Sequence, residues 1–341
     1  MTTSVKKAAG VQVPDKSDIQ SLIKTSYVWD NHTCMPLRFN DDFLPQLTRA
    51  RKSGFDVVAL NVGFGDMNAE QHLKQLAYFR RWLKMHADDF LLVTKADDVK
   101  TAKLSGKLGV FFDIEGANAL EDRLELVELY YDLGVRWMLI AYNKNNRVGG
   151  GCQDDDQGLT DFGRAVIREM ERVGMLVCCS HTGHRTAREV MAFAQKPVIF
   201  SHSNPSGLVD HPRNIPDDLI LACAKTGGVI GVNGVGLFLG NNDISPENVA
   251  RHVDYVAQKV GPAHVGLGLD YVYDTEEIND FVKANPQMFP AHLGYADGAK
   301  FAPPEILEGL IERLFALGYK ADDIRGIIGG NLMRLAQTVW Q

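Results

Sequence analysis

The chain lacks any apolar run near the roughly 20 consecutive residues that a bilayer-spanning helix requires; stretches such as VGMLVCCS are far too short. Its first residues, MTTSVKKAAGVQVPDKSD, hold no apolar block of the kind that drives secretion, so the expectation is a cytoplasmic protein without a membrane anchor. Lys and Arg form no tract, and the formal net charge is −7 with acids and bases interspersed, which argues against a nucleic-acid surface. Small molecules are the expected partners. Cysteine is sparse: Cys34, Cys152, Cys178, Cys179 and Cys223 make an odd count of five with no C-x-x-C spacing. That suggests neither a disulfide framework nor a four-cysteine zinc site. The glycines of RVGGGC (147–152) match neither G-x-G-x-x-G nor a Walker pattern, so they read as a mobile loop and not as a phosphate cradle.

What is present is an ordinary folded enzyme's composition, 341 residues with 45% apolar side chains, and no internal repeat or low-complexity tract. A leader over 1–18 followed by one domain over 19–341 is the economical division. Eight short apolar runs bounded by turn residues stand at 27–34, 55–63, 107–116, 135–143, 175–181, 197–203, 227–235 and 264–271. Helical spacing fills 41–53, 67–87, 119–133, 160–173, 183–195, 215–226 and 246–260, with 303–317 and 321–338 after the last strand. Near-continuous apolar strands alternating with amphipathic helices predict a parallel sheet, and eight units close into a (β/α)8 barrel. A doubly wound open sheet is the alternative. Polar residues at the ends of many different strands favour the barrel, which gathers them on one rim.

His32 and Cys34 close the first strand, and a strand's period of two points both the same way, so they could share a metal. Glu115 ends the third strand after an apolar run, where an unpaired carboxylate would cost on the order of several kcal/mol and so calls for a cation. Asp113, on the same side of that strand, could orient a ligand, and a structural salt bridge stays open for either acid. His181 and His202 close the fifth and sixth strands, each after a serine, and adjacent strands set two imidazoles side by side. Asp270 ends the eighth strand and reads either as a proton shuttle or as a group that holds a ligand histidine. Arg213, in HPRNIPDD, has the planar fork that suits a carboxylate, or it pairs with Asp217 or Asp218.

These residues, with the phrases DNHTCMP, DIEGAN, PVIFSHSNPSGLVDHPRNIPDD, GLGLDYVYD and IIGGNLMRL, resemble the membrane (renal) dipeptidase family of metallopeptidases over nearly the whole chain. The resemblance implies a metal-dependent dipeptidase of the amidohydrolase type, usually a homodimer, hydrolysing the amide bond of small dipeptides with a zinc-activated hydroxide. It implies two zinc ions bridged by Glu115, with His32 on one ion and His181 and His202 on the other. Arg213 would bind the substrate carboxylate, and Asp270 would move the proton. The sequence departs from the family pattern twice. Cys34 replaces an aspartate, so a soft sulfur stands where a hard oxygen is usual, and one ion is the expectation if the second is excluded. Tyr142 replaces a substrate-binding histidine; a phenol donates one hydrogen bond but carries no positive charge near neutral pH. These departures keep open a same-fold hydrolase of another amide or a lactone, or a non-catalytic binding relative.

Overall fold

The structure is a computed structural model that describes residues 14–341. The expected leader lies mostly outside the described residues, and its last part is already helical: Lys16–Thr25 forms a helix capped by the Asp15 carboxylate. An N-cap aspartate satisfies the first free backbone N–H groups of that helix at once.

Ten strand segments form: β1 Trp29–Cys34, β2 Val57–Phe64, β3 Phe90–Leu92, β4 Leu108–Glu115, β5 Val135–Leu139, β6 Leu176–Cys178, β7 Val198–Ile199, β8 Ile230–Val232, β9 Val265–Leu267 and β10 Tyr271–Val272. Every strand pairing is parallel. The chain of neighbours runs β10-β1-β2-β4-β5-β6-β7, a bridge from Phe200 to Ile230 carries it to β8, and β8 pairs with β9. Since β9 and β10 are two halves of one strand position, the ring closes on itself as the eight-fold barrel and not as an open sheet.

Two differences from the expected pattern have local causes. β3 is additional: it pairs with Leu108–Val110 at the start of β4, below the stretch of the same strand that pairs with β5. Between β2 and β4 the chain therefore carries two helices, Ala69–Met85 and Ala96–Ser105, where one was expected. After β10 a further helix, Thr275–Ala284, starts on the Asp274 carboxylate and stands over the barrel mouth.

The core has two layers. Trp29, Val57, Ala59, Phe111, Trp137 and Leu176 fill the barrel interior, and Trp340 closes its floor against Trp29 and Phe111 at ring separations of 5.5 and 5.3 Å. A larger cluster, including Val58, Leu60, Val110, Phe112 and Ile114, lies between the strands and the surrounding helices. The alternation that sends Ala59 and Phe111 inward also sends Asn61, Asp113 and Glu115 inward, two or four residues nearer the strand ends. Apolar filling thus gives way to polar side chains at the C-terminal rim.

Candidate metal centre

Six of the predicted residues meet at that rim. His32 and Cys34 come from β1, Glu115 is the last residue of β4, His181 and His202 follow β6 and β7, and Asp270 sits between β9 and β10. Glu115 Oε1 lies 3.2 Å from His181 Nε2, 3.2 Å from His202 Nε2 and 3.5 Å from His32 Nε2. The two later imidazoles approach to 2.9 Å between their Nε2 atoms. On the other side His32 Nε2 is 3.4 Å from Asp270 Oδ1 and 3.4 Å from Cys34 Sγ. Two overlapping donor groups result, His32 with Glu115 and His202, and His32 with Cys34 and Asp270.

Around this cluster lies a ring of orienting partners, of which only Asp113 was anticipated. Asp113 Oδ2 takes His32 Nδ1 at 3.3 Å, Asn143 Oδ1 takes His181 Nδ1 at 2.7 Å, and Ser201 Oγ meets His202 Nδ1 at 2.8 Å. Asn61 donates to Asp113 at 3.0 Å and Asn233 donates to Asp270 at 2.9 Å. Amides and serines at strand ends are too common for their spacing to announce them. Anchoring each Nδ1 outward turns each Nε2 lone pair toward the centre, the arrangement in which histidine binds metal. His181, Asp270 and Asn143 also hold positive φ values of 59°, 55° and 57°. Backbone strain of this kind persists only where the surroundings enforce it.

The donor set fits a divalent cation. Glu115 Oε1 is buried without a hydrogen-bond donor. Burial, reinforced by the charges of Asp270 and Asp113, pushes its carboxyl up to about 8. Burial with the nearby Arg213 charge keeps His181 neutral, and burial with the charges of His32 and Arg213 does the same for His202. Two converging lone pairs and a lone carboxylate oxygen repel one another, and a shared cation turns that repulsion into coordination. Burial also pushes the Cys34 thiol up to about 12. Only a cation would hold that sulfur as thiolate near neutral pH.

A cavity of about 640 Å³ opens above the cluster and includes Glu115, His181, Arg213, Tyr142 and Asp270 in its lining. Arg213 is 2% exposed, and none of its three guanidinium nitrogens has a hydrogen-bond partner among the described residues. Its guanidinium lies over the Phe238 ring at 5.0 Å. The alternative ion pair is not formed: Asp217 binds Lys259 and Asp218 binds Arg188. Tyr142 stacks on His181 at 4.1 Å, and burial holds its phenol well above the ordinary range, hence neutral.

Other histidines serve the scaffold. His184, His252 and His264 bond the carbonyls of Asn214, Leu239 and Gly228. His211 accepts the backbone N–H of Arg213 and bonds the Leu293 carbonyl, tying the arginine loop to the segment above it. The glycines of 147–152, expected as a mobile loop, are instead tightly packed; a Cβ on Gly151 would stand 2.2 Å from the Asn143 carbonyl carbon. Their smallness lets this loop pass beneath the residue that anchors His181.

A profile of the membrane dipeptidase family, peptidase family M19, matches residues 17–288. Two proteins of Schizosaccharomyces pombe named as uncharacterized dipeptidases, C965.12 and C3A11.10c, are 31% and 30% identical over 77% and 79% of this chain. The chain spans 61% and 62% of their lengths. Among solved structures, an amidohydrolase from Pseudomonas aeruginosa is 29% identical with a TM-score of 0.85, covering 94% of this chain and 99% of that one. The fold is shared with a metallo peptidase from Rhodobacter sphaeroides, solved with a phosphinate mimic of the dipeptide L-Ala-D-Ala, at 21% identity and a TM-score of 0.74 over 93% of this chain and 100% of that one. The rim that gathers His32, Glu115, His181 and His202 is thus carried by a chain that belongs to the membrane dipeptidase family, peptidase family M19.

Proposed function

We propose that the protein is a metal-dependent dipeptidase that hydrolyses the amide bond of small substrates ending in a free carboxylate. The observation that carries this reading is the convergence of His32, Glu115, His181 and His202 on one buried point, in a cavity that also holds Arg213, unpartnered among the described residues. In this reading Glu115, His181, His202 and His32 would hold the zinc, with Cys34 and Asp270 beside His32 as further donors. When bound, zinc supplies a Lewis acid and a water of lowered pKa.

The chain's own groups do the rest. Arg213 holds the substrate carboxylate with its planar fork and so sets the amide over the centre. Asp270, on the cavity wall and steadied by Asn233, takes the proton of the attacking water and passes it to the leaving amine. Tyr142, neutral and stacked on His181, can donate one hydrogen bond to the carbonyl oxygen as charge develops on it. The working unit is proposed to be a homodimer acting on small molecules.

Elemental analysis of protein purified without chelators, with Cys34→Asp in parallel, tests the centre. Two zinc per chain in wild type supports the shared-carboxylate arrangement. One zinc rising to two in the variant shows that sulfur has reduced the site to one ion. Asp270→Asn is expected to keep most of the metal while lowering dipeptide turnover by about a hundredfold or more; unchanged turnover would remove Asp270 from proton transfer.

A further inference from the structure

The cavity is larger and more apolar than two alanine residues need. Its volume of about 640 Å³ falls among pockets that hold drug-sized ligands, roughly 300–1,000 Å³. One wall is an aromatic and aliphatic sheet of side chains. Phe64, at the end of β2, meets Phe281 of helix Thr275–Ala284 edge to face at 5.5 Å, and Phe281 meets Phe289 at 6.0 Å. Met288 completes the surface beside Tyr142. Phe281, Met288 and Phe289 belong to a hydrophobic cluster separate from the barrel core, one that runs on to Phe238 beside Arg213, so they are not needed to fill that core.

Position on the ring says which part of a substrate meets this wall. Arg213 lies in the loop after β7 and against Phe238, which follows β8. β2 stands directly across the barrel from β7, with β4, β5 and β6 between them on one side and β8, the β9/β10 position and β1 on the other. A substrate anchored by its carboxylate at Arg213, with its amide over the metal centre, must extend its other half toward Phe64, Phe281 and Met288. Among the described residues no Lys or Arg other than Arg213 lines the cavity. The acids at its edge are taken: Asp274 and Glu277 by Arg38 at 2.7 and 3.1 Å, and Asp66 by Asn118 at 3.1 Å.

We propose that the acyl half of the substrate is a bulky apolar or aromatic group. The inference rests on the proposed function, since it takes the carboxylate at Arg213 and the amide at the metal centre as given. Two kinds of molecule share this chemistry: a dipeptide whose first residue has a large apolar side chain, and an amino acid blocked by an apolar acyl group.

The test uses the full chain loaded with zinc and two series with alanine as the common leaving residue. One runs Gly-Ala, Ala-Ala, Leu-Ala, Phe-Ala; the other runs acetyl-, butanoyl-, octanoyl- and phenylacetyl-alanine. Binding of phosphinates matching each dipeptide is measured by calorimetry. Going from the smallest to the largest apolar group, kcat/KM is expected to rise at least about tenfold in whichever series is turned over, and the phosphinate Kd to fall by a similar factor. Phe281→Asp and Met288→Asp are expected to bring that ratio close to one. A flat or falling phosphinate series overturns the inference, even if small dipeptides are hydrolysed and the dipeptidase reading stands. The expected binding trend without any hydrolysis leaves the inference standing and overturns the dipeptidase reading. Failure of every phosphinate to bind overturns both.

Discussion

At the scale of single residues, Arg213 shows most clearly what the site costs the fold. A guanidinium that is 2% exposed and without partners has lost its water and gained no hydrogen bond among the described residues. Such strain is typical of a site built for a ligand that arrives later. Arg213→Met keeps the length and the contact with Phe238 while removing the charge. The metal-free variant is expected to melt higher than wild type, by about 1–2 °C per kcal/mol recovered, since the shift shrinks as the chain lengthens. Its KM for carboxylate-ended substrates is expected to rise about a hundredfold. Thermal denaturation and steady-state kinetics on the same preparation check both; a lower melting temperature would mean that Arg213 has structural partners. The metal-type residues His32, Glu115, His181 and His202 were legible in the sequence because each closes an apolar run. Asn143 and Asn233 were not, since their roles exist only through a histidine or an aspartate brought up from another strand.

At the scale of elements, helix Pro246–Val260 buries His252 completely against the barrel. Its Nε2 bonds the Leu239 carbonyl and so carries the proton, while Nδ1 is buried without a partner. Burial lowers its pKa from 6.5 to about 4. Between those values the unfolded chain binds a proton that the folded chain refuses, so stability is full above about pH 6.5 and is lost progressively as pH falls toward 4. The gap corresponds to roughly 3 kcal/mol. His72, His184 and His211 are lowered in the same direction, so the informative quantity is a difference. Denaturant melts of wild type and His252→Gln from pH 7.5 to 4 are expected to converge as pH falls, because the variant lacks this titration. Parallel curves would assign the acid sensitivity elsewhere. The strand periodicity was readable for all eight barrel positions, whereas β3 and the helix Thr275–Ala284 were not. β3 is three residues long and owes its existence to the free lower edge of β4. The helix over the mouth has no fully buried residue and leans on the cavity.

At the scale of the whole molecule, the C-terminal helix Asn331–Val339 and Trp340 seal the barrel floor. Leu332, Leu335, Val339 and Trp340 all pack there, and each large apolar side chain returned to water costs about 1.5–3 kcal/mol. Deleting residues 331–341 is therefore expected to abolish cooperative unfolding, read by near-ultraviolet circular dichroism; a sharp transition within a few degrees of wild type would show that the plug is dispensable. The sequence by itself determined the class of fold and the kinds of donor at the strand ends. Both depend on local period and on the cost of burying polar groups, which neighbouring residues already express. Tertiary structure alone decided that the ring closes, that Arg213 is left without an acid among the described residues, that His32 and His181 are turned by Asp113 and Asn143 from other segments, and that an apolar wall lines the cavity. Those outcomes rest on contacts between residues far apart in the chain, whose distances no local pattern encodes.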